Sequence, residues 1–523
     1  MGCTGTTIYN ELLKQKSKVF YSDLSKINTA KTINNYNNKS NIEDLSEKIK
    51  LNISLNQIKA NTSYKIKISK IGDNLLHPLE EYSYFEIKDD ETAYLKIPLI
   101  IKYYFEKEQP LWIELVKENS NNSQKYEIKT SLGCIMGSKK NTLQKDISST
   151  EREKLILKAE KIKEAEDIIK LKFNIKSNKN VLFNEIKNKI YYEIYSDNIL
   201  YRSECLNNAG IFNPHRIPKY LLNKNRIQIK FYNCYRKVVG DYKLNIDEFT
   251  NGKTTFNIRV NGNQFNILSK CKLTKDFTFV DYLKAGMQIG LSVAIDFTQS
   301  NGYQNDKNSF HYIHGLEPNL YERAIFACGN IVAYYDFDQL FPCFGFGAKI
   351  NNQKYKFFNL NFKDDPNIQY IQGIIDEYHN AINVVELYGP TNFGPIINNI
   401  NNMIKKEYNT FKYHILMILT DGIIDDMDDT IDELVEGSFL PLSVIIIGIG
   451  KADFSNMVEL DADENPLINS KGVKAARDLV QFVPFLKYES NPEILANKVL
   501  EEIPRQIMEY YEQNNLDPIK LVT

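Results

Sequence analysis

Two rhythms of apolar and polar residues divide the chain. From Ile49 to about Cys134 the two types alternate in short segments, IKLNISL, SYKIKISKI, YSYFEIK, AYLKIPLII, LWIELV and YEIKTSL, with turn-forming residues between them. A period of two is that of strands with one face buried and one wet, so an antiparallel sandwich is predicted over residues 48–136. A polar break, GSKKNTLQKDISST, follows at 137–150, and the alternation resumes in KLKFNIK, IYYEIYS, RIQIKFYN, TTFNIRV and FNILSKCKL. These predict a second all-β sandwich over 151–278.

Beyond residue 281 the alternation gives way to unbroken apolar runs: IGLSVAID (289–296), YHILMILTD (413–421) and LPLSVIIIGIG (440–450). Helical patterns lie between them. In NLYERAIFACGNIVAYYDF, Leu320, Ala324, Ala327, Ile331 and Tyr335 keep the three-and-four spacing of one buried helix face. In NPEILANKVLEEI, Asn491 reads as an N-cap, with Pro492 at the first helical position and Glu493 in the first turn. Strands buried on both faces, with helices between, predict a doubly wound parallel α/β sheet over 281–511, followed by a tail at 512–523. Residues 20–47, Asn-rich and without period, read as part of a flexible tether covering 1–47. The fold class expected is therefore multidomain, two antiparallel sandwiches ahead of one α/β domain.

Charge sharpens this division. Residues 1–290 hold 48 Lys and Arg against 33 Asp and Glu, whereas 291–523 hold 17 against 33, so the near-neutral total hides a basic half and an acidic half. A basic half suits an anionic partner and an acidic half a metal or a basic protein; ordinary solvated faces would account for the same counts. The seven cysteines show no C-x-x-C pair and no zinc spacing, which argues against a disulfide framework or a zinc finger. No apolar run reaches the length of a membrane span, and no secretory signal opens the chain. The opening MGCTGT does fit N-myristoylation at Gly2, with Thr6 at the hydroxyl position and Cys3 available for palmitate. Two acyl chains, or one chain with the nearby Lys14, Lys16 and Lys18, would hold a membrane stably.

Two of the apolar runs end in an acid, at Asp296 and Asp421. After the first come hydroxyls at alternate positions, Thr298 and Ser300; between the two runs, LYGPTNFGP (387–395) makes a loop that presents Thr391. If the two strands are neighbours, Asp296, Thr298, Ser300, Thr391 and Asp421 meet at one edge of the sheet. Each alone could simply cap a turn. Together they form an all-oxygen set without His or Cys, as a hard cation prefers: Mg²⁺, with Mn²⁺ or Ca²⁺ as alternatives. Two carboxylates leave such an ion residual positive charge for a partner's acidic group, which is recognition chemistry more than hydrolysis.

The set Asp296-x-Thr298-x-Ser300, Thr391 and Asp421 resembles the metal-ion-dependent adhesion site (MIDAS) of von Willebrand factor A (vWA) domains. More specifically AIDFTQSNG, HYIHGLEPNLYERAI, FPCFGFGAKI, LYGPTNFGPII, ILTDGIIDDM, LPLSVIIIGIGKADFSNM and DLVQFVPF resemble the copines, densely from about 281 to 511. The resemblance implies two C2-type sandwiches ahead of a copine-type A domain. It also implies a cytoplasmic protein, peripheral on the inner face of the plasma membrane or another cytosolic membrane, that binds acidic phospholipids through its C2 domains with calcium. The A domain would recruit a protein partner, and no nucleic acid is expected. The chain departs from the family where C2 calcium ligands belong. Lys48–Gly72 holds no Asp or Glu, and Lys117 stands about where an Asp is expected, with only Glu118 nearby. In the second sandwich Asn180, Asn188 and Asn233-x-Tyr235 replace acids, and Asp241 is the single ligand left. Six to eight oxygens around Ca²⁺ need more carboxylates than this, so Ca²⁺ at the C2 domains is doubtful and membrane binding is expected to be calcium-independent. The alternative is a conventional calcium-dependent copine.

Two enzymatic readings compete with this adaptor. A haloacid-dehalogenase-like phosphohydrolase also starts from a strand-end Asp, but it needs a catalytic Lys and a later G-D-x-x-x-D motif, and neither is in a suitable place. Asp425, Asp426, Asp428 and Asp429 read as the solvated start of a helix. A RING ubiquitin ligase with a similar A domain would need eight closely spaced Cys and His ligands, and no cysteine follows Cys343. No catalytic residue is therefore assigned.

Overall fold

The computed structural model describes residues 46–521 except 59–61, 73–74, 90–91, 120–121, 149–151, 163–164, 177–188, 207–209, 211, 213–214, 223–225, 251–254, 304, 315–316, 408–409 and 462–465. Gly2, Cys3 and nearly all of the expected tether lie outside the described residues. The chain divides into two compact units, residues 163–281 and the remainder.

In the larger unit, strands β1 (Glu47–Asn56), β2 (Ser63–Gly72), β3 (Leu75–Tyr84), β4 (Glu86–Asp89), β5 (Thr92–Tyr94), β6 (Leu99–Tyr103), β7 (Pro110–Asn119), β8 (Asn122–Ser131), β9 (Thr142–Asp146) and β10 (Lys154–Lys161) form two antiparallel sheets. One has the order β3-β2-β7-β8. The other runs β4-β5-β1-β10-β9, with β6 also on β1. The alternation of β1 is read out directly: Ile49, Leu51, Ile53 and Leu55 are buried and the residues between them are not. The expected break at 137–150 holds β9, and β10 pairs with β1 along its whole length, so this sandwich runs on to about Ile162. Period-two patterning identifies a strand but not its neighbour, which is why β10 reads from sequence as the start of the next domain.

Residue 117 shows the cost of an ion in such a core. The Lys117 ammonium is 2% exposed and lies 2.9 Å from the Glu153 carboxylate, itself 1% exposed, which also accepts a bond from the Tyr64 hydroxyl at 2.7 Å. A helix, Leu132–Gly137, carries this sandwich onto the α/β part of the same unit. A Cβ at Gly137 would fall 1.8 Å from the carbonyl oxygen of Tyr334, so only glycine permits that approach. Beside it the hydroxyls of Tyr103 and Tyr335 lie 2.5 Å apart, and the Tyr334 hydroxyl donates to Glu108 at 2.6 Å.

The smaller unit is also an antiparallel sandwich. Its strands are β11 (Asp167–Lys176), β12 (Ile190–Tyr195), β13 (Ile199–Arg202), β14 (His215–Pro218), β15 (Arg226–Asn233), β16 (Val238–Asn245), β17 (Thr255–Val260) and β18 (Asn263–Lys275), in sheets β14-β11-β18-β17 and β13-β12-β15-β16. Ile169, Leu171, Phe173, Tyr192, Phe231, Phe256 and Ile267 fill the core between them.

Residues 282–521 build the sheet β21-β20-β19-β24-β25-β26 from β19 (Gln288–Asp296), β20 (Leu340–Ile350), β21 (Gln353–Asn359), β24 (Lys412–Thr420), β25 (Leu442–Gly448) and β26 (Val480–Pro484). The five strands from β20 to β26 on this path are mutually parallel and β21 closes the edge antiparallel. Short strands β22 (Asn367–Gln369) and β23 (Glu386–Leu387) add to β20. Every residue of β25, and all but the first of β19, is buried, as unbroken apolar runs require when both sheet faces are covered. Helices Gly394–Lys406 and Met427–Gly437 cover one face through Ile396, Ile400, Leu434 and Val435. Helix Leu320–Val332 packs on β19 and against helices Tyr370–Val384 and Pro492–Leu500. Its buried face is Tyr321, Ala324, Ile325, Cys328, Ile331 and Val332, a rotation from the expected stripe that leaves Leu320 and Ala327 half-exposed. Asn491 caps the helix Pro492–Leu500 by accepting from the amides of Glu493 and Ile494.

Breaking the Lys117–Glu153 pair from one side leaves a buried charge uncompensated, which costs about 3–5 kcal/mol. Lys117→Met is expected to lower the stability of the larger unit by that order in urea unfolding.

Candidate metal centre

The chain leaves β19 for β20 on one side and returns across it to β24 on the other, so the order reverses at β19. In an open parallel sheet the carboxyl ends of strands at such a reversal form a crevice. β19 and β24 are in parallel register with Ile295 opposite Leu419, which brings Asp296 and Asp421 to the same edge. Both are buried, at 0% and 5% exposure.

Each carboxylate is held by local bonds that follow from the sequence around it. Asp296 accepts the Thr298 amide at 2.8 Å on one oxygen and the Thr420 hydroxyl at 2.5 Å on the other. The hydroxyls of Thr298 and Ser300 lie 2.9 Å apart, and that of Ser300 donates to Asp421 at 2.9 Å. Thr391 comes from the far side: its hydroxyl and that of Ser300 both face Gly422, at 3.0 and 3.7 Å from where a Cβ would stand. Behind Thr298, Gly347 has φ +72° and a Cβ there would be 2.3 Å from the threonine methyl, so glycine in β20 makes the space. The structure thus brings together all five residues named from sequence, with Ser300 exposed at the mouth and the other four buried.

Burial drives the Asp296 carboxyl above its usual range, and hydrogen bonds from Thr298 and Thr420 oppose it. Burial, and then the charge of Asp296, push Asp421 up to about 7. Two acids in one desolvated crevice repel each other; a divalent cation between them would remove that repulsion. Among the described residues no group of three or more His, Cys, Asp and Glu converges. A cation here would therefore rely on hydroxyls and water to complete its shell, and the donor chemistry fits Mg²⁺ held by Asp296, Thr298, Ser300, Thr391 and Asp421.

A supporting layer was not legible from spacing. Asn301 donates to Asp421 at 2.8 Å and accepts from the buried Tyr321 hydroxyl at 2.6 Å. His311, fully buried and pushed down to about 3 by burial, is neutral. Its Nε2–H donates to the carbonyl of Asp296 at 2.8 Å while Nδ1 accepts from Tyr378 at 2.7 Å. Asp425 and Asp426 are not a merely solvated helix start. Asp425 accepts the Thr391 amide at 2.8 Å, and Asp426 accepts the amides of Phe393 and Gly394 at 2.9 and 3.0 Å, so they pin the Thr391 loop. Thr420 and Asn301, next to named ligands, were the accessible signal; His311, Asp425 and Asp426 act through contacts that only the fold creates.

Within this crevice Thr391 and Asp421 belong to a segment of known kind. Residues 309–519 match the copine family model. Asp296, Thr298 and Ser300 lie just ahead of this copine domain. Among solved structures, manganese-loaded Plasmodium vivax TRAP protein is 14% identical over 40% of this chain and 74% of its own, with a TM-score of 0.24. Human GIVD cytosolic phospholipase A2 is 7% identical over 58% of this chain and 46% of its own, with a TM-score of 0.16. PilB minor pilin from Streptococcus sanguinis is 10% identical over 65% and 87%, with a TM-score of 0.24. Scores this low bear on neither the fold nor the activity of the copine domain.

Asp421→Asn keeps an acceptor for Ser300 and Asn301 and removes one charge of the pair. With chelator present it is expected to raise Tm by roughly 2–4 °C in a thermal unfolding scan, the effect of easing one like-charge contact in a domain this size.

Proposed function

We propose that this chain is a copine-like, non-enzymatic adaptor that binds acidic phospholipid membranes and recruits protein partners through a divalent cation at the strand ends of its C-terminal α/β part. The all-oxygen crevice carries the reading: two buried carboxylates and three hydroxyls converge where a parallel sheet reverses order. Asp296 and Asp421 would supply the charge, and Thr298, Ser300 and Thr391 the neutral oxygens. The ion when bound supplies a coordination position for a partner's carboxylate. This chain's residues orient it: His311 and Thr420 fix Asp296, Asn301 fixes Asp421, and Asp425 fixes Thr391.

Calcium-independent membrane contact has its own support. Lys117, buried on Glu153, brings an ammonium where a carboxylate would be needed, and Glu118 is engaged by Lys65 at 2.6 Å. Asp241 sits within β16 opposite Lys230 and accepts from Gln228, away from a strand-end loop. Asn233 uses its side chain to accept the amides of Tyr235 and Lys237. Asn180 and Asn188 lie outside the described residues. No helix among the described residues is long and apolar enough to cross a membrane, so acylation at Gly2 and Cys3 and basic charge are the proposed attachment.

Two measurements test the halves separately. In pulldowns with Mg²⁺, proteins retained by wild type are expected to be lost with EDTA and with Asp296→Ala or Asp421→Ala; undiminished retention by both variants would sink the recruitment role. In liposome co-sedimentation the acylated protein is expected to bind acidic vesicles equally with Ca²⁺ and with EGTA, and Gly2→Ala to weaken binding. Strict calcium dependence would restore the conventional alternative.

A further inference from the structure

Residues 291–523 hold 17 Lys and Arg against 33 Asp and Glu, yet no acid lies between Asp338 and Asp364. The hairpin of β20 and β21 occupies that stretch and carries Lys349, Lys354 and Lys356. Lys349 and Lys354 are in direct register across it, so their side chains leave the same face. Both ammonium groups lie over the ring of Tyr388, 4.0 and 4.5 Å from its centre, and Lys349 also meets the Glu386 carboxylate at 3.1 Å. A ring holds an ammonium in place without cancelling its charge, so two cations and one carboxylate leave the spot positive.

This spot adjoins the candidate metal centre. Tyr388 donates its amide to the Gly347 carbonyl at 2.9 Å, accepts the Gln299 amide at 3.0 Å and forms a backbone bridge with Thr298. Gly347 is the residue whose missing side chain leaves room for the Thr298 methyl. Lys349 stands two positions further along β20, on the same side of the strand and about 7 Å away by strand rise. An extended peptide spaces its residues i and i+2 by that same length of about 7 Å. A segment laid across the mouth at Ser300 would therefore bring one acid to the crevice and, two residues on, a second acid to the lysines. Ser300 and Lys354 are exposed, and Lys349 and Tyr388 are half-buried, so the path is open to solvent. Lysines already held on a ring also lose less rotamer freedom when a ligand arrives.

We propose that Lys349 and Lys354, held on Tyr388, form a second anion contact beside the crevice, and that the partner's binding segment is an extended acid-x-acid stretch. One carboxylate goes to the ion and the other to the lysines. This rests on the recruitment reading above and names the chemistry of the partner it would take.

The test uses the full chain with Mg²⁺ and fluorescein-labelled peptides in a Gly-Ser frame, with the cores Asp-Ser-Asp, Asp-Ser-Asn and Asn-Ser-Asn, followed by fluorescence polarisation. The two-acid peptide is expected to bind tightest and the peptide without acids not at all. Lys349→Gln with Lys354→Gln should weaken the two-acid peptide roughly 10-fold and leave the one-acid peptide unchanged, so that the double-mutant cycle shows coupling. Lys354→Gln alone, at an exposed position, should give a smaller loss of the same kind. Lys405→Gln with Lys406→Gln, at the end of helix Gly394–Lys406 and about 18 Å from its start, should change nothing. EDTA or Asp421→Ala should abolish binding of both acidic peptides. Equal loss on both peptides, or loss on neither, from the first pair would overturn the second contact while leaving the metal site standing. Binding that needs the lysines but survives EDTA and Asp421→Ala would overturn the shared segment, and absence of Mg²⁺-dependent binding by any peptide would overturn the recruitment reading with it. Weaker binding of phosphatidylserine vesicles by the first pair, with peptide binding unchanged, would assign the lysines to a membrane and overturn the partner.

Discussion

Parallel pairing of β19 with β24 is the constraint from which the candidate centre follows. Both strands are buried along nearly their whole length, and their register places Ile295 beside Leu419, so the residues at their carboxyl ends have no choice but to share one crevice. The crevice excludes water from two acids, and burial raises both. A sheet optimised only for stability would not end two adjacent central strands in carboxylates. The unfavourable energy is confined to one spot, and hydroxyls and amides distribute what remains: Thr298, Ser300, Asn301 and Thr420 each bond one of the acids.

Rigidity around that spot comes from side chains that never face the crevice. His311 joins the backbone at Asp296 to Tyr378, which Asn319 also contacts, so a helix cap, a helix interior and a strand end move together. Asp425 and Asp426 join the loop holding Thr391 to the start of helix Met427–Gly437. The first sandwich reaches the same unit from another direction, through Tyr103, Glu108 and Gly137 on Tyr334 and Tyr335. The copine domain and this sandwich thus share one compact unit, while residues 163–281 form the other.

Both sandwiches mix opposite-charge and like-charge pairs across their strands. The first sets Lys67 opposite Glu114 and buries Lys117 on Glu153, yet also sets Lys48 opposite Lys102 and Glu114 opposite Glu127. The second sets Lys170 between Arg216 and Lys272, yet also sets Glu193 opposite Arg202 and Lys230 opposite Asp241. Similar alternation in the two conceals these pairings until the register is known.

Periodicity alone determined the kinds of element: alternating residues can bury only one face of a strand, and unbroken apolar runs of strand length call for cover on both faces, so sandwiches and a parallel sheet were legible. Oxygen-bearing residues at the ends of two such runs likewise announced Asp296, Thr298, Ser300, Thr391 and Asp421, because strand ends at a sheet's edge are where polar groups can converge. Partner choice was not legible. Only the tertiary structure gave β10 to the first sandwich, turned the buried face of helix Leu320–Val332, drew His311, Asp425 and Asp426 to the centre, and laid Lys170 between Arg216 and Lys272. The reason is physical: a residue's own period is local, whereas register, crossovers and the contacts they create depend on where distant segments pack.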